Sequence, residues 1–213
     1  MADRRPLQVG AELDWLVNRA RSLAARGSRA ILGITGPPGA GKSTLAEHLC
    51  AALGDAALVP MDGFHLAERE LRRLGIDRRK GAPQTFDSYG YRALLHRLRA
   101  ATEPVVYAPE FRRDLEEPIA GAIPVPRGTQ LVITEGNYLL LDDEPWCDIR
   151  ELLDEIWYID LDDAVRIRRL VERHIRFGRD RDAAEAWVEE NDERNARLIA
   201  QTRDRADVVI VSR

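Results

Sequence analysis

Apolar residues in this chain cluster in short continuous runs that are separated by stretches with helical spacing. The clearest runs are ILGIT at 31–35, ALVPM at 57–61, LVIT at 131–134, EIWYID at 155–160 and DVVIV at 207–211. A run without polar alternation is typical of a strand buried on both faces of a parallel sheet. A weaker run at 105–107 predicts a further strand, and the Pro- and Gly-containing residues 108–128 predict a long excursion of the kind that often carries function.

Between the runs, apolar residues recur every three to four positions, which is the spacing of one helix face. Helices are predicted from Leu13 to a C-terminal cap at Gly27, from Lys42 to Gly54, over a short charged segment from Leu66, from Ser88 with Asp87 as N-cap, and on both sides of a break at Gly178. Strands that alternate with helices predict an α/β fold with a mostly parallel central sheet and helices on both faces. No repeat or linker interrupts the pattern, so one domain over residues 1–213 is expected.

The composition is that of an ordinary globular chain, with 45% apolar and 32% charged residues in a length of 213. The formal net charge of −4 argues against a nucleic-acid partner and against an acidic membrane surface. No stretch reaches the unbroken apolar length of a membrane span, and the N-terminus lacks the apolar core of a signal peptide. Cys50 and Cys147 have neither metal-binding nor disulfide-framework spacing. A cytoplasmic protein with reduced thiols is therefore expected.

The run at 31–35 leads into the sequence GPPGAGKST, which fits the pattern G-x-x-x-x-G-K-S between a strand and a helix. In this arrangement the glycines let successive backbone N–H groups surround phosphate oxygens, and the helix N-terminus adds its positive dipole end. Lys42 is expected to reach the β- and γ-phosphates of a nucleotide, and Ser43 to join a Mg²⁺ shell. A glycine-rich turn that binds nothing is the alternative, but the flanking strand and helix favour a phosphate loop. The predicted ATP-binding residues of the loop are Gly36, Pro37, Pro38, Gly39, Ala40, Gly41, Lys42, Ser43 and Thr44.

Two absent motifs and two strand-end carboxylates narrow the class of nucleotide-binding protein. Lys42 and Lys80 are the two lysines, so the chain lacks the Asn-Lys-x-Asp motif of GTPase switches, and it has no Leu-Ser-Gly-Gly-Gln-like signature of transport ATPases. Asp62 follows a strand that we expect to neighbour the phosphate-loop strand, and Glu135 follows another strand. Phosphoryl transfer needs one carboxylate to orient the acceptor hydroxyl and another near the metal. The alternative for either acid alone is a helix cap or a solvated loop charge. Because both acids end buried strands in a chain that also has the phosphate loop, the pair favours a small kinase.

An arginine-rich helix is predicted after the strand at 155–160. Arg166, Arg169, Arg173 and Arg176 are spaced to lie along one face of it. In a kinase, such arginines can close over the phosphates as a lid and neutralise charge in the transition state. From composition alone, an exposed face that pairs with acids of the same helix is an equal alternative. The lid is expected to span roughly residues 162–182.

Taken together, the motifs resemble the P-loop kinases of the uridine kinase, phosphoribulokinase and bacterial pantothenate kinase branch. The resemblance is carried by GPPGAGKST (36–44), VPMDGFHL (59–66), RKGAPQTFD (79–87), EPIAGAIPV (117–125), VITEGNYLLLD (132–142) and ADVVI (206–210). Within the branch, the chain is most similar to the bacterial nucleoside/nucleotide kinase family proteins, a group that includes candidate fructose-transport kinases. The resemblance covers nearly the whole chain and implies a P-loop NTPase fold with a helical lid.

The resemblance also implies roles for particular residues. Asp62 matches the catalytic base, which would act together with Lys42 and Arg173. Arg169 and Arg173 match lid arginines that contact ATP. Glu135 matches the strand-end acid of the branch, but it is a Glu followed by Gly rather than an Asp, so a metal role through water is expected. The acceptor-binding residues that the resemblance implies are Asp62, His65, Lys80, Arg113 and Asn137.

Some of these assignments have a competing interpretation. His65 is equally compatible with packing near the base, and Lys80 with a solvated loop position. Arg112 stands where this group of kinases is expected to have an acid, which suggests a different acceptor.

These features predict a cytoplasmic, ATP- and Mg²⁺-dependent kinase that phosphorylates a hydroxyl group of a small metabolite. A nucleoside, a pantothenate-like compound and a sugar stay open as acceptors, and a homodimer stays open as the oligomeric state. The alternative function is a regulatory P-loop ATPase that acts through a protein partner. Asp62 argues against that alternative, because a pure switch has no use for an acceptor base.

Overall fold

The computed structural model describes residues 3–7 and 11–212, which form a parallel sheet covered by helices. The strands are β1 (Asp3–Leu7), β2 (Ala30–Thr35), β3 (Ala57–Leu58), β4 (Val105–Arg112), β5 (Glu117–Pro126), β6 (Leu131–Glu135), β7 (Glu155–Leu161) and β8 (Val208–Ser212). The helices are α1 (Ala11–Ala24), α2 (Lys42–Leu53), α3 (Glu68–Leu74), α4 (Ser88–Ala100), α5 (Asp163–Arg176), α6 (Arg181–Trp187) and α7 (Glu193–Ala200). None of the helices in these ranges is long and apolar enough to cross a membrane.

The order of the strands determines where a site can form. Among the described residues, the central sheet has six strands in the order β1-β8-β7-β2-β6-β3, and all of its pairings are parallel. Open parallel sheets bind their ligands at the carboxyl ends of the strands. This order brings the carboxyl ends of β2, β6 and β3 side by side. The predicted α/β fold with a mostly parallel sheet is confirmed.

Alternate side chains of the strands enter two cores, one on each face of the sheet. Ile31 of β2 packs in a core with residues of α4 and α7, whereas Leu32 and Ile34 of the same strand pack with α1 and α2. A strand that is covered on both faces needs apolar side chains at successive positions. This is the reason that the strands are visible in the sequence as continuous apolar runs.

Two helix ends follow the capping residues that the sequence predicts, at Asp87 and Gly54, whereas α1 ends at Ala24 rather than at the predicted Gly27. The side chain of Asp87 accepts a hydrogen bond from the N–H of Gly90 and caps α4. Asp162 caps α5 in the same way through the N–H groups of Ala164 and Val165. A side-chain acceptor at this position satisfies N–H groups that the first helical turn leaves unpaired. The α2 helix ends at Gly54, as predicted.

Two predictions between residues 57 and 128 are wrong. The strand predicted at 57–61 is reduced to β3, because Pro60 has no N–H group for a sheet hydrogen bond and a 3-10 turn begins at Met61. Residues 108–128 do not form an irregular excursion, since β4 and β5 pair as an antiparallel hairpin. Val106, Ala108 and Val125 bury one side of this hairpin in the core.

The expected neighbourhood of Asp62 is also wrong. The strand that precedes Asp62 is β3, and β3 pairs with β6 rather than with the phosphate-loop strand β2. The β6 strand lies between β2 and β3, so the strand that borders the phosphate-loop strand on this side is the one that ends in Glu135. Strand order depends on how the connecting helices pack, and hydrophobic periodicity does not encode it.

The helix predicted after Gly178 is interrupted. A π-helical turn at Val188–Asp192 joins α6 to α7, and in it the N–H of Glu193 bonds to the carbonyl of Val188. The α5 and α6 helices pack together through Leu170, Val171 and Ala184. The region predicted as a lid, roughly residues 162–182, therefore comprises α5 and the start of α6, and the π turn joins α6 to α7.

Candidate active site

The loop between β2 and α2 has a backbone that requires glycine. Gly36 has φ of 146°, and a Cβ atom there would lie 2.6 Å from the carbonyl oxygen of Ile159. Gly39 has φ of 81°, and a Cβ atom there would lie 3.0 Å from the carbonyl oxygen of Arg166. Positive φ and close backbone contacts exclude any larger residue at both positions. The loop is thus fixed between β7 on one side and α5 on the other.

Lys42 is the buried cation of this loop. Its Nζ atom donates hydrogen bonds to the carbonyl oxygens of Gly36 at 3.0 Å and Pro37 at 3.1 Å. Burial lowers the pKa of Lys42 to about 8, against the opposing effect of the negative charges of Glu135 and Asp62. The two hydrogen bonds hold the ammonium group at the loop, as expected for a phosphate-binding lysine.

Ser43 and Glu135 lie against each other at the carboxyl end of the sheet. The Oγ atom of Ser43 donates a hydrogen bond of 2.9 Å to Oε1 of Glu135, which is 6% exposed. Burial raises the pKa of this carboxyl group, and the nearby charge of Asp62 raises it further. Hydroxyl and carboxylate oxygens are the ligands that Mg²⁺ prefers. A divalent cation here would compensate the buried negative charge, so the two residues fit the predicted metal site.

Asp62 lies in the 3-10 turn Met61–Phe64, which is held against the β4–β5 hairpin. A Cβ atom at Gly63 would lie 2.3 Å from the carbonyl oxygen of Pro109, so only glycine permits this approach. The N–H of His65 donates to the Asp62 carbonyl at 3.1 Å. The Asp62 carboxylate itself is about one-third exposed, and its Oδ2 atom lies 3.6 Å from Nη2 of Arg113. The hairpin thus brings together two residues that the sequence predicts for acceptor binding.

His65 and Lys80 both contact the ring of Phe111. The His65 ring packs against Phe86 and Phe111 with centroid distances of 4.0 and 4.8 Å, and burial lowers its pKa. Its Nδ1 atom bonds to the Asp62 carbonyl at 2.8 Å, which supports the packing interpretation. Lys80 lies over the ring of Phe111 and donates to the carbonyl of Glu116 at 2.7 Å. Lys80 is therefore tied to the hairpin rather than freely solvated.

One cavity of about 730 Å³ collects nearly all of these groups. The predicted residues that line it are Pro38, Gly39, Lys42, Ser43, Asp62, His65, Lys80, Arg113, Glu135, Asn137 and Arg173. A second cavity of about 670 Å³ is lined by loop residues 39–44, Arg169 and Arg173. Arg173 faces both cavities, and burial lowers its pKa. The phosphate loop and the lid helix thus form walls shared by the two cavities.

Arg166 does not lie with the other lid arginines, and this part of the sequence prediction is wrong. Its side chain is 1% exposed, with ion pairs to Asp163 at 2.9 Å and Glu193 at 2.5 Å. It also donates to the carbonyl of Pro38 at 3.4 Å. Arg166 therefore joins the lid helix to α7 and to the phosphate loop, while Arg169 is exposed at the second cavity.

Sequence reasoning missed a group of polar residues beyond residue 173. His174, Trp187, Asp192 and Asn195 also line the larger cavity. They come from α5, α6, the π turn and α7, which follow one another in the chain. The spacing of Asp192 and Asn195 on one helix face was the available signal, but acids and amides at such spacing are common on solvated helices.

A profile of the Phosphoribulokinase / Uridine kinase family matches residues 31–213. The chain is 34% identical over 186 residues to a candidate uridine kinase, C227.14, of Schizosaccharomyces pombe, with 81% of this chain and 79% of that protein covered. It is 33% identical over 188 residues to the uncharacterized protein YggC of Escherichia coli, with 85% and 77% covered.

Solved structures give the same result at the level of the fold. A crystal structure described as a candidate fructose transport system kinase from Silicibacter sp. TM1040 aligns with a TM-score of 0.83 and 38% identity, over 94% of this chain and 99% of that one. The structure of YFH7 from Saccharomyces cerevisiae, described as a candidate P-loop kinase with a circular permutation, aligns with a TM-score of 0.81 at 20% identity, over 94% of this chain and 99% of that one. At that identity the second likeness concerns the fold alone.

Proposed function

Because this chain belongs to the phosphoribulokinase and uridine kinase family, we propose that it uses Mg²⁺ and transfers the γ-phosphoryl group of ATP to a hydroxyl group of a small metabolite. The observation that carries this proposal is that Lys42, Ser43, Asp62 and Glu135 line one cavity. These four residues are a phosphate-binding cation, a pair of metal-binding oxygens and a carboxylate on the acceptor side. A nucleotide switch would need Lys42, Ser43 and Glu135, but it would not need Asp62.

The phosphate loop would hold the ATP. Loop N–H groups and the N-terminus of α2 supply donors and a positive dipole end to the phosphates. Lys42 adds a full positive charge, and its contacts with two loop carbonyls keep it close to where the β- and γ-phosphates would lie. This arrangement holds the transferred group still while an acceptor approaches from the larger cavity.

Ser43 and Glu135 would hold Mg²⁺, with Glu135 acting through water as the resemblance implies. When bound, the ion neutralises charge on the phosphate oxygens. The hydrogen bond between the two side chains orients the Ser43 hydroxyl in advance. The carboxylate supplies the negative charge that distinguishes a cation site from an anion site.

Asp62 would orient the acceptor hydroxyl and accept its proton. The acceptor oxygen forms a bond to the γ-phosphorus as the bond from that phosphorus to the β,γ-bridging oxygen breaks, and ADP leaves with that oxygen. Arg113, at 3.6 Å from Asp62, fixes the orientation of the carboxylate from the hairpin side. Arg173 faces both cavities, so it can neutralise charge that develops between donor and acceptor.

Further parts of the proposal concern the protein as a whole. We propose one kinase domain over the whole chain, a cytoplasmic location where ATP and Mg²⁺ are available, and a small molecule rather than a nucleic acid or membrane as the partner. A homodimer is tested by light scattering on the purified protein. None of the catalytic roles above requires a second copy.

A coupled ADP-release screen tests the proposal. Purified protein with ATP and Mg²⁺ is assayed against nucleosides, sugars, polyols and pantothenate-like vitamins, each with and without the protein. The expected result is ADP release that depends on one acceptor class, together with a phosphorylated product seen by mass spectrometry. Slow ADP release that no acceptor accelerates would favour the regulatory ATPase instead.

A further inference from the structure

A face of α7 and the π turn before it presents polar residues to the protein interior. Asn191, Asp192 and Asn195 are 6%, 8% and 5% exposed. Buried polar groups are costly unless they are bonded, so each should have a partner or a purpose. The π turn itself is a further indication, since such turns are rare and are frequently found at functional sites.

The two asparagines have structural partners. Oδ1 of Asn191 accepts a hydrogen bond of 2.9 Å from Arg79. Nδ2 of Asn195 donates to the carbonyl of Gly81 at 3.2 Å, and the hydroxyl of Tyr138 donates to the same carbonyl. These bonds tie the loop around Arg79 and Gly81 to α7. Their function is therefore to shape the wall of the larger cavity.

Asp192 is different because only one of its oxygens is used. Nε2 of His174 lies 2.8 Å from Oδ2 of Asp192, and an ionised carboxylate can only accept this hydrogen bond. Across residues 3–7 and 11–212, no donor reaches the Oδ1 atom. Both His174 and Asp192 line the larger cavity, on which Asp62 also borders. A buried carboxylate that borders the cavity is thus held by a histidine through one oxygen, and its other oxygen has no donor among the described residues.

We propose that Asp192 binds a second hydroxyl group of the acceptor, so that the substrate is a polyhydroxy compound held by carboxylates at two of its hydroxyls. This inference rests on the proposed function, in which Asp62 takes the first hydroxyl. A carboxylate favours O–H and N–H donors and disfavours a phosphate or carboxylate group at the same position. His174 is a positioning residue, since its hydrogen bond sets the orientation of Asp192.

Matched acceptors that differ by one hydroxyl provide the test. The probes are uridine with 2′-deoxyuridine and 3′-deoxyuridine, D-ribose with 2-deoxy-D-ribose, and D-fructose with its monodeoxy analogues. For the pair that the wild-type protein uses, removing the hydroxyl that Asp192 binds should raise KM about tenfold to a hundredfold, the usual worth of a hydrogen bond to a charged group. Asp192→Ala should raise KM for the complete acceptor by a similar factor and leave KM for the deoxy analogue nearly unchanged.

Two further variants keep the test decisive. Asp192→Asn retains the size of the side chain and an oxygen for His174, so it should fold and should still reduce the discrimination between the two acceptors by at least threefold. Glu189→Ala removes an exposed carboxylate from the same π turn and should change neither KM. Equal discrimination in wild type and both Asp192 variants would overturn the inference while leaving the kinase proposal intact. A wild-type protein that phosphorylates no acceptor would instead overturn the proposed function, and this inference with it.

Discussion

Ser43 and Glu135 are 92 positions apart in the sequence, yet a hydrogen bond of 2.9 Å joins their side chains. Ser43 lies in the first turn of α2 and Glu135 closes β6, and the parallel pairing of β2 with β6 brings these two ends together. Neither oxygen alone defines a cation site. Their contact joins the phosphate loop to the acidic end of the neighbouring strand, and it gives the metal hypothesis a specific geometry.

The metal hypothesis predicts the effect of Glu135→Gln. The amide keeps the size of the side chain and an oxygen for Ser43 but removes the charge that favours a divalent cation. The Mg²⁺ concentration for half-maximal activity should rise by about tenfold or more, whereas ATP binding measured in EDTA should be little changed. Titration of activity with MgCl₂ provides the measurement. An unchanged Mg²⁺ requirement would remove Glu135 from the metal site.

Lys42→Ala should abolish or severely weaken ATP binding and leave the fold intact. The lysine supplies its charge to the phosphates, and the hydrogen bonds of its ammonium group go to loop carbonyls rather than to the sheet or the helices around it. Calorimetric titration with ATP, together with circular dichroism of the variant, separates the two effects. Affinity and turnover equal to those of wild type would contradict the assignment of the phosphate loop.

The lowered pKa of Lys42 predicts a pH dependence of ATP binding. A lysine with a pKa of about 8 is charged below that pH and loses its charge above it. The affinity of the free protein for ATP, measured without Mg²⁺, should therefore decrease as the pH rises from 7 to 9.5. A Lys42→Arg variant that still binds ATP serves as the control, because its guanidinium group stays charged over this range. A wild-type affinity that stays constant to pH 9.5 would contradict the prediction.

Asp62→Asn should bind MgATP nearly as well as wild type but lose acceptor phosphorylation by about 10²–10⁴-fold, the usual worth of a positioned general base. The amide keeps the size of the side chain but cannot accept the proton. ATP affinity, melting temperature and single-turnover rate are compared in the same variant. If Asp62 were a structural acid, the melting temperature would fall and the rate of the folded fraction would persist.

Arg173→Ala should lower turnover much more than it lowers ATP affinity, because the residue faces both cavities and would act mainly as charge develops in transfer. Arg168 is an exposed arginine of the same helix that lines neither cavity, so Arg168→Ala is the matched control. Steady-state kinetics with ATP varied at fixed acceptor gives both parameters. If the two variants changed turnover and ATP affinity equally, Arg173 would be a solvated surface arginine without a role in transfer.

Arg166→Ala should destabilise the protein by about 3–5 kcal/mol, the usual cost of removing one partner from a buried ion pair. Glu193, the partner at 2.5 Å, would then keep a mostly buried charge without compensation. The midpoint of urea unfolding provides the measurement, with Arg168→Ala again as the control. A loss of activity without a loss of stability would indicate that Arg166 contacts the substrate instead.

Local chemistry in the sequence determined a large part of this protein. The apolar runs predict strands because both faces of the sheet are covered, and Asp87 and Gly54 mark helix ends by their own bonding properties. The phosphate loop is also local, since Gly36 and Lys42 lie within seven consecutive residues and their spacing alone specifies the turn. For these features, the sequence carries the physical cause within a short segment.

The tertiary structure alone decided which distant groups meet. The order of strands inserts β6 between β2 and β3, so Glu135 rather than Asp62 lies on the strand next to the phosphate loop. Arg166 fits the lid pattern in sequence, but the packing of α5 against α7 buries it in ion pairs. Asp192 reaches the cavity by way of the π turn, where its burial distinguishes it from a surface acid. Such contacts depend on how separate elements pack, and a pattern with a period of two or of 3.6 residues contains no information about that packing.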